Sequence, residues 1–472
     1  TIQGGAGDRR YYGTIVGPPT GRLVKTAGNV QSLSGTSAFA GGVYAEGGTL
    51  ELIGPSGRFT QDNQQFYISK GGTLELDNNT GANNEGQGNR LHDNADLVID
   101  TGNFTLRAAQ NGASLSERID NITLRSGYST FTLDADESPN ASAEGDITLL
   151  ADQLIRQNRS TGLIRGDRLG QSTAGSDISA NFIFRASGDA NGTNYLSDQS
   201  WTNKAPGSTD LPIVPWLTGG TTPSDAGSTF ITYQTNFGFR PLTEAEFANQ
   251  VFGSSNVVNV GTASNQNFRM SYTAAASSST LAEDMNVLGL VLYNTNNANN
   301  DLVIADGMTL NVQNGLILSY GTQDNEIKGG TLTFGNNEET GYEGRIHGVR
   351  GIDIRSVIAN NGANAVSLTT DGTVNLRTNA TYTGQTTVNS GTLSTFGNFL
   401  PDVLTRVNNG RLTIAGNVTQ TIGMLVSPAT AVNGVVSNSA GSVLEVTGVG
   451  GNQSYYGQIA GPASSDFIKS ST

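Results

Sequence analysis

The chain contains no cysteine. That excludes disulfides, zinc–thiolate sites and cysteine nucleophiles, and it fits an exported bacterial protein. Histidine is nearly as scarce. His92 and His347 are the only two, neither has a partner at metal-ligand spacing, and both read as turn or surface residues. A Ser-His-Asp arrangement would have to use one of them. Basic residues are few: 26 Lys and Arg stand against 40 Asp and Glu, for a net charge of −14. With no basic face for phosphates, nucleic acid is not an expected partner. No apolar run reaches the length of a membrane-spanning helix, so no transmembrane segment is expected. Nor is Thr1 followed by the basic and apolar regions of a signal peptide. If the protein is exported, its targeting segment lies outside this sequence, and the chain reads as a mature form or a fragment.

In place of these residues stand 62 glycines and an abundance of Asn, Ser and Thr around short apolar, β-branched strands. The strands recur. Gly47-Gly48-Thr49-Leu50-Glu51-Leu52 returns as Gly71-Gly72-Thr73-Leu74-Glu75-Leu76, Gly307-Met308-Thr309-Leu310 as Gly329-Gly330-Thr331-Leu332, and Gly391-Thr392-Leu393 as Gly410-Arg411-Leu412. A turn-plus-strand unit returning every 20 to 25 residues or so is the signature of a solenoid. Gly turns the corner with positive φ. Thr and Leu then alternate between solvent and core. The fold class expected is all-β, a solenoid of stacked coils; a β-sandwich with hairpin turns is the competing all-β reading.

The pattern predicts three regions: a solenoid over 1–180, an inserted subdomain over 181–290, and a second solenoid over 291–472. The insertion holds both tryptophans, Trp201 and Trp216, and aromatics including Phe182, Phe184, Tyr195, Phe230, Tyr233, Phe239 and Phe247, which read as its own core. Thr243-Glu244-Ala245-Glu246-Phe247 has capping-box spacing and predicts a short helix. A second short helix is expected near Ala282-Glu283-Asp284-Met285.

The end of the chain repeats its beginning. Tyr455-Tyr456-Gly457-Gln458-Ile459-Ala460-Gly461-Pro462 matches Tyr11-Tyr12-Gly13-Thr14-Ile15-Val16-Gly17-Pro18, and Phe467-Ile468-Lys469-Ser470 matches Leu23-Val24-Lys25-Thr26, every pair 444 residues apart. Such an echo suggests one period of an array, or a subunit whose tail meets the next subunit's head. The interface residues this predicts are Tyr11, Tyr12, Ile15, Leu23 and Val24 at the head, with Tyr455, Tyr456, Ile459, Phe467 and Ile468 at the tail.

Thr381-Tyr382-Thr383-Gly384-Gln385-Thr386-Thr387-Val388-Asn389-Ser390-Gly391-Thr392-Leu393 resembles the autotransporter-associated β-strand repeat, also called the passenger-associated transport repeat. Phe39 to Gly42 with Gly47 to Leu50 resembles a second copy, and Val407 to Ile414 resembles the sequence that follows such repeats. The resemblance covers about 20–50 and 366–472. It implies a right-handed parallel β-helix in a large secreted or surface-exposed bacterial protein. It carries over no catalytic residues.

Carboxylates that could serve a β-helix glycosidase are Asp134, Asp136 and Glu137, Glu338, Glu339 and Glu343, and Asp93 with Asp96; each group also reads as solvated turn charge. Asp134 to Asn140 offers hard oxygen donors for calcium, without EF-hand spacing. No catalytic residue, cofactor or bound metal is expected. The function expected is structural: a repeat unit or subunit of an extracellular filament, stalk or surface layer on a bacterial cell, partnered head-to-tail by copies of itself. A surface adhesin that contacts glycans or cells through the insertion is the alternative, and a polysaccharide-active enzyme a third.

Overall fold

A computed structural model describes residues 7–78, 89–108, 114–135, 145–173, 179–184, 206–234, 236–252, 258, 263–272, 278–295, 301–335, 342–401, 403–430, 433–448 and 453–470. Trp201, Tyr195, Asp136 to Asn140, Glu338 and Glu339 lie outside the described residues.

The chain is nearly all β, with mostly parallel sheets. The repeats seen in the sequence are direct neighbours in these sheets. Thr49, Leu50 and Glu51 lie opposite Thr73, Leu74 and Glu75. Thr309 and Leu310 lie opposite Thr331 and Leu332, and Leu393 lies opposite Leu412. Parallel pairing in this register places chemically equal side chains one above another. Leu50, Leu74, Phe104 and Phe131 form one such inward column, each no more than 1% exposed. The threonines that alternate with them stay half-buried. Burial of each such Leu or Phe contributes roughly 1.5–3 kcal/mol, and the entropy of fixing the chain offsets most of the sum.

The turns are made by the glycines of the repeat. Gly48 has φ +59°, and a Cβ there would lie 2.2 Å from the carbonyl oxygen of Ala27. Gly391 has φ +65° and presses on the backbone of Gly372 in the same way. Only glycine meets both demands.

Two compact units divide the chain. One comprises Thr1–Asn203, Leu217–Gly227 and Ile231–Pro241; the other comprises Lys204–Trp216, Ser228–Phe230 and Leu242–Thr472. Residues 181–290 are thus distributed over both. The first unit has a ten-stranded sheet, a seven-stranded sheet and a three-stranded sheet. Its aromatics pack as core: the Phe182 ring lies 5.4 Å from Phe131 and 5.3 Å from Phe239. An antiparallel pair, Ile231 to Gln234 against Gly238 to Pro241, interrupts the parallel order there. In the second unit, an eighteen-stranded and a three-stranded sheet enclose a continuous core from Val258 to Val446. A smaller cluster joins Phe230 and Phe247 to Ile213, Leu242 and Val291.

Thr243 caps a single 3₁₀ turn, Glu244–Glu246, whose Glu246 carboxylate accepts from the Thr243 N–H at 2.8 Å. The helix expected near Ala282 to Met285 is absent. Ala282 to Asp284 form a bend, and Met285–Val287 is a strand in register with Leu310–Val312. Parallel pairing to an apolar neighbour outweighs the local helix preference of three residues.

Candidate assembly interface

The head strands are edge strands. Arg9–Tyr11 stands at the end of the ten-stranded sheet and pairs with Val30–Leu33, Tyr11 lying opposite Leu33. Val16–Gly17 ends the three-stranded sheet, against Thr36–Phe39. Arg22–Lys25 ends the seven-stranded sheet and pairs with Gly42–Ala45, placing Leu23 opposite Val43 and Val24 opposite Tyr44. At the tail, Gln458–Ala460 ends the eighteen-stranded sheet and Asp466–Lys469 ends the other three-stranded sheet, with Phe467 opposite Leu444.

Seven of the nine exposed large hydrophobic residues among the described residues belong to these two segments: Tyr11, Tyr12, Val16, Tyr456, Ile459, Phe467 and Ile468. Tyr12 is 73% exposed and Phe467 44%. Ile15, Leu23, Val24 and Tyr455 are half-buried. The ten residues expected from the echo therefore lie in the two edge-strand segments. At the tail, Met424, Leu425, Val446, Tyr455, Ile459 and Phe467 line an open cavity of about 560 Å³. Burial pushes the Tyr455 hydroxyl up to about 12.

The two segments share local conformation. Tyr11 folds over Gly13, where a Cβ would lie 2.5 Å from the phenol oxygen. Tyr455 folds over Gly457 with the same consequence at 2.4 Å. The aromatic–Gly spacing is thus a packing requirement at both ends.

Sequence reasoning missed Val16 and the two lysines. Lys25 lies in the inward column that continues through Ala45 and Ile68, is 1% exposed, and donates to the carbonyls of Ala27 and Gly47, the latter at 3.1 Å. Desolvation lowers its pKa. Lys469 follows Val446 in the equivalent column but is exposed, and donates to the Ser470 and Thr447 carbonyls at 2.7 and 3.4 Å. The echo itself was the available signal, since it contains both.

Other polar groups are tied into the fold. His347 is buried in a strand rather than in a turn or at the surface, and burial pushes it down to about 4. His92 lies half-buried immediately before the turn at Asp93 and Asn94, 3.5 Å from Asp62. Glu343 is also buried, not a solvated turn charge: its carboxylate accepts from Arg345 and from the Thr369 hydroxyl, both at 2.6 Å. Asp134 pairs with Arg107 at 3.1 Å and Asp93 with Arg118 at 3.4 Å, while Asp96 accepts from the Asn121 side chain at 3.0 Å. Of the calcium candidates only Asp134 lies within the described residues. Glu51, Glu75 and Asp77 bring carboxylate oxygens within 4.8 Å of one another and could hold a cation. Desolvation raises the pKa of both glutamates, and Arg107, 3.0 Å from Glu75, supplies positive charge there.

No family model, no curated protein and no solved structure matches the chain. Among the described residues no helix is long and apolar enough to cross a membrane.

Proposed function

We propose that the protein is a structural element of an extracellular bacterial assembly, a repeat unit or subunit of a filament, stalk or surface layer. It joins other copies head-to-tail through the ends of right-handed parallel β-helices. The concentration of exposed apolar side chains in two edge-strand segments that echo each other carries this reading. Unpaired strand edges backed by apolar surface invite pairing with another chain. A contact between two different ends is heterologous and propagates into an open fibre unless the rotation closes. Repeated parallel strand–connection–strand units favour the right-handed sense on steric grounds. The resemblance of residues 381–393 to passenger repeats supports the extracellular setting.

Sedimentation velocity over a concentration series, with electron microscopy of the same samples, tests the reading. The full chain is expected to form elongated oligomers that grow with concentration. The double variant Phe467→Asp, Ile468→Asp is expected to remain monomeric with an unchanged β-sheet circular dichroism signal. A full chain that stays monomeric to its solubility limit would overturn the proposal.

A further inference from the structure

Resting on that head-to-tail reading, we infer that the tail of one copy replaces the head segment of the next, seating on Val30 to Phe59 in the place of residues 11–26, rather than adding beneath the head. The recognised partner is a second copy of this chain, and the site is an interface already present within each chain.

The correspondence holds where the head touches its neighbours. Gly17 lies opposite Phe39, and a Cβ on Gly17 would come 2.3 Å from the Phe39 ring. The tail carries Gly461 at that position, although no ring lies on it in its own chain and the nearest atom to its would-be Cβ is the Ser465 hydroxyl. A Cβ on Gly35 would meet the Gly13 carbonyl at 2.3 Å, and the counterpart of Gly13 is Gly457. Leu23 and Val24, opposite Val43 and Tyr44, are matched by the larger Phe467 and Ile468. The tail thus preserves Gly13 and Gly17, which let the next strands approach, and the apolar residues that cover them; it departs at Gly21, where it carries Ser465 and where a Cβ would lie 3.1 Å from the Phe39 ring.

The lysines decide between replacement and addition. Addition in register would set Lys469 directly against Lys25 in one inward column, on neighbouring strands about 4.8 Å apart, and so place two ammonium groups in one desolvated position. Like charges there are strongly unfavourable. Replacement leaves a single lysine in the column, with the Ala27 and Gly47 carbonyls that now hold Lys25 free to accept from Lys469. Against replacement stands Asp466, which would take the place of Arg22. Arg22 contacts Glu46 at 3.7 Å and the Tyr44 ring at 4.0 Å. Its side chain is 58% exposed, and Lys70 holds Glu46 at 2.7 Å regardless. Loss of an exposed contact is the smaller effect.

The cysteine-free chain makes the test direct. Adjacent parallel strands place paired residues within disulfide reach. Replacement puts Ile468 of one copy where Val24 sits, beside Tyr44 of the next; addition puts it beside Val24. The full chain carrying Tyr44→Cys and Ile468→Cys is expected, on mild oxidation, to give a covalent ladder of multiples of 49.1 kDa on a denaturing gel, whereas Val24→Cys with Ile468→Cys is not. Val24→Cys with Tyr44→Cys should close within one chain, verifying the pairing, and its oxidised form should no longer assemble because the head is locked. A ladder from the Val24/Ile468 pair alone, no ladder from either pair in material that sediments as oligomers, or normal assembly by the locked chain would each overturn replacement while leaving self-assembly standing. Absence of oligomers from the unmodified chain would remove both.

Discussion

Glu117 is fully buried, and its two carboxylate oxygens accept from the N–H groups of Arg90 and Leu91 at 2.9 Å each. Burial nevertheless prevails over those donors and pushes the carboxyl up from 4.5 to about 7. Between these pH values the folded chain keeps a proton that the unfolded chain has released, so this group's contribution to stability falls as pH rises from 4.5 to 7, by about 3 kcal/mol in all. His347 works in the opposite sense. Its pKa falls from 6.5 to about 4 on folding, so the unfolded chain takes up a proton first. The stability it contributes is present above pH 6.5 and is lost as pH falls towards 4. The two windows overlap and partly cancel in the native chain. Single variants separate them. In thermal melts from pH 4 to 8, Glu117→Gln should remove the loss on the alkaline side, so that its melting temperature relative to the native chain rises with pH. His347→Gln should show a relative gain as pH falls. Flat difference curves for both would show that neither group titrates as its burial requires.

At the scale of the strand, stability resides in the inward columns. Leu74 sits between Leu50 and Phe104 and is 1% exposed. Leu74→Ala should cost about 2–5 kcal/mol, read as a lower urea midpoint. Gly48→Ala should cost about 1–3 kcal/mol, because the residue would enter a left-handed conformation against the Ala27 carbonyl. By contrast, Phe467→Ala, at an exposed edge, should leave the urea midpoint of the monomer nearly unchanged. These columns were legible in advance because in-register parallel pairing converts a sequence shift into a contact: the shift between Thr49 and Thr73 is the spacing of neighbouring strands. The echo likewise marked the edge segments. Lys25 escaped notice because a lysine in a strand reads as solvent-facing, and the carbonyls that receive it come from Ala27 and from Gly47, 22 residues away. Glu343 and His347 escaped for a related reason. They share one sixteen-residue strand, Glu343–Ile358, whose burial is imposed by strands on either side rather than by its own alternation. Ala282 to Met285 reads as helix in the sequence because so short a segment carries little periodicity of its own, whereas Met285 opens the strand Met285–Val287.

For the molecule as a whole, a net charge of −14 means that copies repel each other before their ends can meet. The Debye length shrinks from about 30 Å at ~0.01 M salt to about 8 Å at ~0.15 M, so salt should relieve the repulsion while leaving the contact of apolar edges intact. Weight-average sedimentation coefficients at fixed protein concentration are therefore expected to rise over that range. The opposite trend would mean that ion pairs hold the ends together, and the pair at hand would be Asp466 with Arg22 under addition. Asp466→Asn distinguishes the cases independently. It removes a negative charge that replacement would set opposite Gly42, on the strand that leads into Glu46, so it should leave assembly unchanged or strengthen it at low salt. Under addition it removes the partner of Arg22 and should weaken assembly most where screening is least. Phe467→Ala should weaken assembly at every salt concentration, because the area it removes from the contact is apolar and its contribution does not depend on screening.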